Sequence, residues 1–141
     1  MQFIKLNEHA VRPTQATDGS AAYDLVLVDD VILKANESPR LAPLGFKLWI
    51  QDPTLVGLIY IRSSLARRGV SLANGVGVID SDYQDQWGLL LTTHIWREQS
   101  LKRGDRVAQL IFKKIHHPTI DEVNEFSGTS GRFGGFGSTG L

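Results

Sequence analysis

Residues Ala73 to Trp87 read ANGVGVIDSDYQDQW, and the rest of the chain is organised around this stretch. Its Asn74-Gly75 pair is the strongest short signal for a β-hairpin, and the β-branched residues that follow predict a strand. Three carboxylates then come within six residues: Asp80, Asp82 and Asp85. An apolar strand that ends in clustered acids presents them where a sheet meets solvent or a ligand. A polar turn after a buried strand is the alternative interpretation.

Length and composition limit the possible classes of protein. The chain has 141 residues and 42% hydrophobic residues, which indicates one compact domain with a real core. Lys and Arg total 15, as do Asp and Glu, so no net field favours a nucleic-acid partner. The chain has no cysteine, which excludes disulfides and thiolate metal sites. Residues 1–10 contain no apolar run typical of a signal peptide or membrane span, so we expect a cytoplasmic protein without a membrane partner.

Short strands separated by turns are predicted along most of the chain. The predicted strands are 3–6, 21–27, 31–33, 45–50, 54–61, 76–79, 89–96, 106–114 and 120–123. Residues 36–43 contain two prolines and are predicted as a loop. Residues 63–68 are predicted as a helical turn that Ser63 or Ser64 caps and that Gly69 ends. Frequent turn signals without a long helical pattern predict an all-β barrel or sandwich.

The last residues differ in composition from the rest. Residues 127–141 read SGTSGRFGGFGSTGL and hold six of the 14 glycines. Such a segment buries too little surface to offset the entropy cost of ordering unless a ligand binds it. The sequence therefore predicts a β-barrel domain over residues 1–126 and a flexible arm over residues 127–141.

Two segments carry groups suited to phosphate oxygens. In Arg62-Ser63-Ser64 an arginine precedes two hydroxyls at the start of the predicted helical turn, a combination that can bind an anion. The alternative is an ordinary helix cap with solvated arginines. In the arm, glycine amides of residues 134–140 can close on an anion and Phe136 can stack on a base. Here the alternative is a disordered linker.

Five short segments occur in an order that closely resembles the homotrimeric dUTP pyrophosphatases (dUTPases). They are AAYDL at 21–25, RSSLA at 62–66, NGVGVIDSDY at 74–83, RGDRVAQLIF at 103–112 and GGFGSTG at 134–140. The resemblance spans nearly the whole chain. It implies a distorted jelly-roll β-barrel that forms homotrimers, with active sites at the subunit interfaces.

The resemblance also implies an activity: hydrolysis of dUTP to dUMP and pyrophosphate, which keeps uracil out of DNA and supplies dUMP for dTMP synthesis. Asp80 matches the acid that positions the attacking water and accepts its proton. Arg62 and Arg132 are the predicted catalytic cations. Asp24 matches an acid that holds water on the Mg²⁺ carried in by the triphosphate. The lack of a dense cage of acids and histidines suits a magnesium ion held mainly by phosphates.

The resemblance implies a substrate-binding residue set as well. Tyr83 matches a ring that packs under deoxyribose and leaves no room for a 2′-hydroxyl. Asn74 and the backbone of the same hairpin match the uracil-reading position, where a tight hairpin excludes a thymine methyl. The other matches include phosphate contacts and, in Phe136, a ring that stacks on uracil. The full predicted set is Ser63, Ser64, Asn74, Gly77, Val78, Ile79, Tyr83, Gln109, Phe136, Gly137, Ser138 and Thr139.

The chain departs from the family pattern at two positions. Asp85 stands where the family has glycine, and aspartate tolerates positive φ better than most residues. In the arm, Gly131 stands at the usual arginine position, and Arg132 lies one residue closer to Phe136.

Two alternatives remain open beside dUTP hydrolysis. The dCTP deaminases share the RSSLAR segment, but they need a catalytic glutamate where this chain has Leu90. Leucine cannot move a proton. A non-catalytic binder that uses the site for regulation, as some phage relatives do, is the second alternative. No inserted domain supports it. The histidines His94, His116 and His117 receive no role.

Overall fold

A computed structural model describes residues 1–131, which form ten β-strands and one short helix. In chain order the elements are β1 Gln2–Lys5, β2 Tyr23–Val26, β3 Val31–Leu33, β4 Arg40–Trp49, β5 Leu55–Ile61, α1 Ser63–Ala66, β6 Val70–Leu72, β7 Gly77–Ile79, β8 Gln86–Thr93, β9 Gln99–Leu101 and β10 Arg106–Lys114. The all-β prediction is confirmed. No helix within residues 1–131 is long and apolar enough to cross a membrane.

Two four-stranded antiparallel sheets enclose the core. Their strand orders are β1-β4-β8-β6 and β2-β10-β5-β7, and β3 pairs with β9 in a separate ribbon. In β8 the alternation of buried and exposed residues shows how each sheet turns one face inward. The largest fully buried side chains come from both sheets and from the connections: Trp87, Phe46, Leu25, Leu27, Leu33, Leu44, Ile50, Ile59, Leu89, Leu91, Leu101 and Leu110.

Strand β4 begins at Arg40, five residues before the strand that the sequence predicted at 45–50. Residues 40–43, placed in a loop by the sequence, pair with β8. Pro43 is tolerated because the β4–β8 register shifts between Pro43 and Lys47, where the ladder needs no donor. Gly45 lies in this irregular part at φ +69°, and a Cβ there would come within 2.8 Å of Val28 Cγ1. The loop prediction is confirmed for residues 36–39 and wrong for residues 40–43, because a bulge removes the conflict between proline and strand.

The helical turn is present, but its predicted cap is wrong. The N-cap is Arg62, which has an extended backbone and makes no side-chain capping bond. Ser63 and Ser64 lie one and two residues after the N-cap, inside the first turn, and both are exposed. Gly69 follows the helix at φ +76°, as predicted.

The Asn74-Gly75 turn does not close a hairpin. It connects β6, which pairs with β8, to β7, which pairs with β5 in the other sheet. Gly75 has φ +72°, and its amide donates to the Leu72 carbonyl at 3.0 Å. The dipeptide therefore specifies the turn but not the strand pairing, because the strands on either side of it join different sheets.

The chain beyond β10 forms no further strand up to residue 131, so the strand predicted at 120–123 is absent. β9, which the sequence did not predict, pairs with β3. Large apolar side chains of this last segment are exposed: Ile120 at 92%, Val123 at 58% and Phe126 at 90%.

Candidate active site

The predicted site residues fall into two groups at opposite ends of β5. We call the first the acid pocket. It is a recess of about 480 Å³ between the outward face of β4 and β8 and the chain from β7 to Tyr83. Its lining residues are Leu41, Pro43, Val78, Ile79, Asp80, Tyr83, Gln86, Trp87 and Gly88. The structure thus brings the predicted base Asp80 together with the predicted sugar-binding Tyr83.

The end of β7 places Asp80 and Tyr83 in one turn. The amide of Tyr83 donates to the Asp80 carbonyl at 3.2 Å, and the Tyr83 hydroxyl donates to the Gln86 carbonyl at 3.2 Å. Tyr83 remains 42% exposed, so its ring is held at both ends and can still be covered by a ligand. Asp80 is also exposed.

Asp85 supports the turn in a way that the sequence did not predict. Within residues 1–131, positive φ at non-glycine residues occurs at Asn36 and Gln51, so Asp85 does not use the left-handed conformation. Its carboxylate accepts the Gln86 amide at 2.7 Å and pairs with Lys47 at 3.2 Å. The Gln86 amide and then the Lys47 ammonium hold the pKa of Asp85 below its ordinary value. Where the family has a flexible glycine, this chain has a carboxylate that fixes the turn through one hydrogen bond and one ion pair.

Trp87 forms the rear of the acid pocket. It is 1% exposed, and its ring lies 5.6 Å from that of Phe46, which in turn lies 5.2 Å from Phe3. The Trp87 indole nitrogen is buried and has no hydrogen-bond partner within residues 1–131.

Asn74 and Gly77 do not line the acid pocket. Asn74 is exposed in the turn after β6. Gly77 packs on β5, where a Cβ would come within 3.0 Å of Ile59 Cβ. The predicted pairing of the two strands beside this turn is absent, because β6 pairs with β8 and β7 pairs with β5.

The second group is the arginine cluster, which consists of Asp24, Arg62 and Arg106. Arg62 Nη1 donates to Asp24 Oδ1 at 2.9 Å, and Arg106 Nη1 donates to Asp24 Oδ2 at 3.2 Å. The Asp24 side chain is 17% exposed, while those of the two arginines are 30% and 57% exposed. One carboxylate therefore fixes two guanidinium groups at the edge of a recess of about 500 Å³.

Other predicted phosphate contacts surround this cluster. Gln109 lies opposite Asp24 in the β2–β10 ladder and lines the same recess. Ser63 and Ser64 follow Arg62 directly, with exposed side chains that make no hydrogen bond within residues 1–131. Sequence reasoning missed Arg106, although it lies inside the RGDRVAQLIF segment. Its meeting with Asp24 depends on strand register, which no local signal encodes.

One copy of the chain does not bring the two groups together. The β5–β7 register pairs Gly57 with Ile79, so Asp80 follows on at the level of Val56. Arg62 stands six residues further along the chain, just past the other end of β5. At ~3.3 Å per strand residue, the separation of Asp80 and Arg62 along the sheet is about 20 Å.

The described residues suit a magnesium ion that takes most of its ligands from elsewhere. Residues 1–131 contain no group of three or more His, Cys, Asp or Glu side chains that could hold a metal. Each Asp24 oxygen accepts one arginine and keeps lone-pair capacity for a water. Asp24 can therefore bind a hydrated ion indirectly, which is how Mg²⁺ usually meets proteins. The predicted arm residues Arg132, Phe136, Gly137, Ser138 and Thr139 lie outside the described residues.

Fold and site together define an all-β jelly-roll protein with separate acidic and arginine-rich surfaces. A sequence model described as dUTPase matches residues 8–140. The chain belongs to the dUTPase family. It is 39% identical over 130 residues to the deoxyuridine 5′-triphosphate nucleotidohydrolase of Legionella pneumophila (strain Paris), covering 91% of this chain and 86% of that protein. The enzyme of that name from Klebsiella pneumoniae (strain 342) is 40% identical over 134 residues, with the same coverage.

Solved structures agree on the fold. The dUTPase of Staphylococcus bacteriophage 80alpha with dUPNHPP superposes with a TM-score of 0.84 at 23% identity, covering 99% of this chain and 98% of that one. A mutant dUTPase from phage phi11 of S. aureus, described with a structural Mg(II) ion, gives a TM-score of 0.80 at 21% identity, covering 90% and 98%. The predicted jelly-roll fold is confirmed.

Proposed function

We propose that this protein hydrolyses dUTP to dUMP and pyrophosphate, in active sites that form between copies of the chain in a homotrimer. The observation that carries the proposal is the acid pocket, in which Asp80 stands at the edge of a mainly apolar recess beside the Tyr83 ring. A carboxylate next to a nucleoside-sized recess is suited to activate water close to the α-phosphorus.

In the proposed reaction, Asp80 accepts a proton from a water whose oxygen bonds to the α-phosphorus. The bond from the α-phosphorus to the oxygen bridging the β-phosphorus breaks, and pyrophosphate leaves with that oxygen. Negative charge on the phosphates is countered by Arg62 and Arg106, while Ser63, Ser64 and Gln109 donate to phosphate oxygens. Asp24 would hold a water of a phosphate-bound Mg²⁺, and that ion would supply further positive charge beside the phosphates.

Substrate selection is assigned to the acid pocket and to its neighbours. The Tyr83 ring is fixed by its turn and by the bond to the Gln86 carbonyl, so it presents a flat surface to the sugar. A ribose 2′-hydroxyl against this surface would lose its water without gaining a partner. The backbone of residues 77–79, with Asn74, remains the proposed uracil-reading segment.

The distance between the two groups supports an active site between copies. A water-activating Asp80 and the phosphate-binding Arg62 lie about 20 Å apart along the sheet in one copy, too far to act on one phosphate chain. A neighbouring copy can place its arginine cluster beside the acid pocket. The exposed apolar side chains of Ile120 and Phe126 also suit burial against another copy.

We assign closure of the site to the arm, residues 127–141, with Phe136 on the base and Arg132 on the phosphates. Gly137, Ser138 and Thr139 then contact the terminal phosphate. A chain ending at Phe126 should form the same oligomer and lose kcat by on the order of 10–10³-fold. Arg132→Ala in the full chain measures the contribution of the Arg132 charge to kcat apart from that of the other arm residues. If truncation leaves kcat unchanged, the arm has no role in catalysis.

The test of the activity is pyrophosphate release from dUTP, dCTP, dTTP and UTP, measured with and without Mg²⁺. We expect turnover of dUTP that depends on Mg²⁺ and little turnover of the other three. Ammonia release from dCTP would instead indicate a deaminase. Against this, Leu90 stands opposite Leu41 in the β4–β8 ladder and supplies no group that transfers protons. Tight dUTP binding without any product would indicate a regulatory binder.

The test of the shared site is complementation between two inactive variants. Asp80→Asn damages the acid pocket, and Arg62→Ala damages the arginine cluster. In trimers refolded from an equal mixture, roughly a quarter of the sites combine an intact acid pocket with an intact cluster from the next copy. Recovery of about that share of wild-type activity supports the shared site. No recovery in well-formed mixed trimers would show that each copy holds its own complete site.

A further inference from the structure

The corner between β4 and β5 contains a backbone outlier that the proposed mechanism does not use. Gln51 has φ +69°, in the left-handed region. For a residue with a Cβ this conformation is sterically unfavourable, and glutamine is not among the residue types that tolerate it best. Asn36, at φ +61°, is the other such residue within residues 1–131 and is of a tolerant type. Outliers of this kind persist where the surrounding structure holds them, often near functional sites.

The Gln51 backbone contacts the turn that carries Asp80. The Gln51 amide donates to the carbonyl of Ser81 at 3.1 Å. Ser81 is the residue directly after Asp80, and the Asp80 carbonyl accepts the Tyr83 amide at 3.2 Å. The turn therefore has one hydrogen bond within itself and one to the β4–β5 corner. The Gln51 side chain is exposed and makes no hydrogen bond within residues 1–131, so the backbone is the part that acts.

The rest of the corner is rigid enough to serve as an anchor. Asp52 accepts from the Thr54 hydroxyl at 2.7 Å and from the Thr54 amide at 2.9 Å. These two bonds hold the pKa of Asp52 below its ordinary value. The Leu55 amide donates to the Asp52 carbonyl at 3.0 Å, which fixes the start of β5. A corner closed in this way resists the shift that Gln51 would otherwise make to relieve its strain.

We propose that the left-handed backbone of Gln51 positions Asp80 for catalysis, by holding the carbonyl of Ser81 at a fixed place beside the acid pocket. Gln51 is thus a positioning residue, and this role rests on the proposed hydrolysis of dUTP. A change in its φ moves the donor away from Ser81 and lets the Asp80 carboxylate drift relative to the attacking water. The Tyr83 ring keeps its own bond from the hydroxyl to the Gln86 carbonyl, and the arginine cluster lies at the other end of β5, so the effect falls mainly on kcat.

The experiment compares substitutions that differ in their tolerance of positive φ and keep the amide. Gln51→Gly removes the strain, and Gln51→Val makes the left-handed conformation strongly unfavourable. Asn36→Val is the matched control, because it changes a second left-handed residue away from both site groups. For each variant kcat, KM for dUTP, affinity for a non-hydrolysable dUTP analogue and Tm are measured.

We expect Gln51→Gly to keep kcat within about twofold of wild type. Gln51→Val should lower kcat on the order of tenfold or more, with KM and analogue affinity nearly unchanged. Asn36→Val should lower Tm without lowering kcat. Equal kcat for Gln51→Val and wild type would overturn the positioning role, as would a parallel loss of kcat in Asn36→Val.

A second measurement covers the case in which Gln51→Val does not fold. Hydrogen exchange on the wild-type protein should show a protected Gln51 amide, because its bond to Ser81 opens only with the turn. Exchange at the rate of an exposed amide would overturn the proposal. A wild-type protein that releases no pyrophosphate rejects dUTP hydrolysis itself, whereas an active wild type with an equally active Gln51→Val variant rejects only the positioning role.

Discussion

The acid pocket is lined mainly by apolar side chains and one exposed carboxylate, whereas the arginine cluster is a partly buried set of charges locked by hydrogen bonds. Both groups use the same sheet, since β7 and β10 flank β5 on either side. Under the proposed function this difference is a division of roles, in which shape would select base and sugar at one end and charge would bind phosphates at the other. A variant that damages the acid pocket should therefore leave phosphate binding by the arginine cluster measurable, and a variant of the cluster should leave base and sugar selection measurable.

The largest expected effect is at Asp80. Asp80→Asn keeps the shape of the acid pocket and removes the group that accepts a proton, so kcat should fall by about 10²–10⁴-fold. Affinity for a non-hydrolysable dUTP analogue should stay within a few-fold of wild type. Asp82→Asn is the matched control in the same turn and should change kcat little. Comparable turnover in both variants would reject Asp80 as the base.

A smaller loss is expected at Asp24, on the other side of the comparison. Asp24→Asn removes the charge and leaves one acceptor oxygen where two arginines each had one, because the new amide nitrogen is itself a donor. At least one guanidinium group is then released. We expect a loss of about 1–2 kcal/mol in folding free energy, measured by urea unfolding, and a kcat lower by on the order of 10–10²-fold. The apparent Mg²⁺ requirement should rise as well. Asp29→Asn, at an exposed acid outside both groups, is the control. If Asp24→Asn needs no more Mg²⁺ than wild type for half-maximal activity, Asp24 has no role in binding the metal.

A change in selectivity is expected at Tyr83. Tyr83→Ala should raise the kcat/KM for UTP relative to that for dUTP by several-fold, because the surface facing the 2′-position is removed. Tyr83→Phe keeps the ring and loses only the bond to the Gln86 carbonyl, so the ratio should remain near that of wild type. An unchanged ratio in Tyr83→Ala would show that sugar selection lies outside the acid pocket.

The smallest expected effect concerns acid stability at Asp85. Because its pKa is lowered in the folded protein, its contribution is present above the ordinary aspartate pKa and is lost as pH falls through the lowered value. Asp85→Asn should therefore lower Tm slightly at neutral pH, and the difference should shrink as pH falls below the ordinary aspartate pKa and through the lowered value. Thermal unfolding of both proteins across this range measures the difference. The same decrease in Tm at every pH would show that the charge of Asp85 is not its contribution.

The sequence predicted the fold class and most strands, because turn residues and apolar alternation are local signals. It pointed to Asp80, Tyr83, Asp24 and Arg62 through short segments whose order resembles the dUTPases, and their roles stay predictions. The structure places Asp80 with Tyr83 and Asp24 with Arg62. It did not predict which sheet each strand would join, so the Asn74-Gly75 turn was assigned to a hairpin that does not exist.

Residues whose importance depends on register were missed for the same reason. Arg106 meets Asp24 only because β10 pairs with β2. Gln51 meets Ser81 only because the β4–β5 corner lies beside the end of β7. Neither Arg106 nor Gln51 stands out among its sequence neighbours. Their contacts depend on strand pairing, which is a property of the whole chain and cannot be read from a short segment.

Trp87 gives the acid pocket an optical reporter of its own. The protein has three tryptophans, and they sit in different surroundings: Trp87 is buried at the pocket, Trp49 is partly buried at the end of β4, and Trp96 is 84% exposed. A buried indole emits at shorter wavelength than an exposed one, and its emission responds to changes in the polarity and charge beside it. With Trp49 and Trp96 replaced by phenylalanine, the emission of Trp87 alone would report nucleotide binding at the acid pocket in real time, without any added dye.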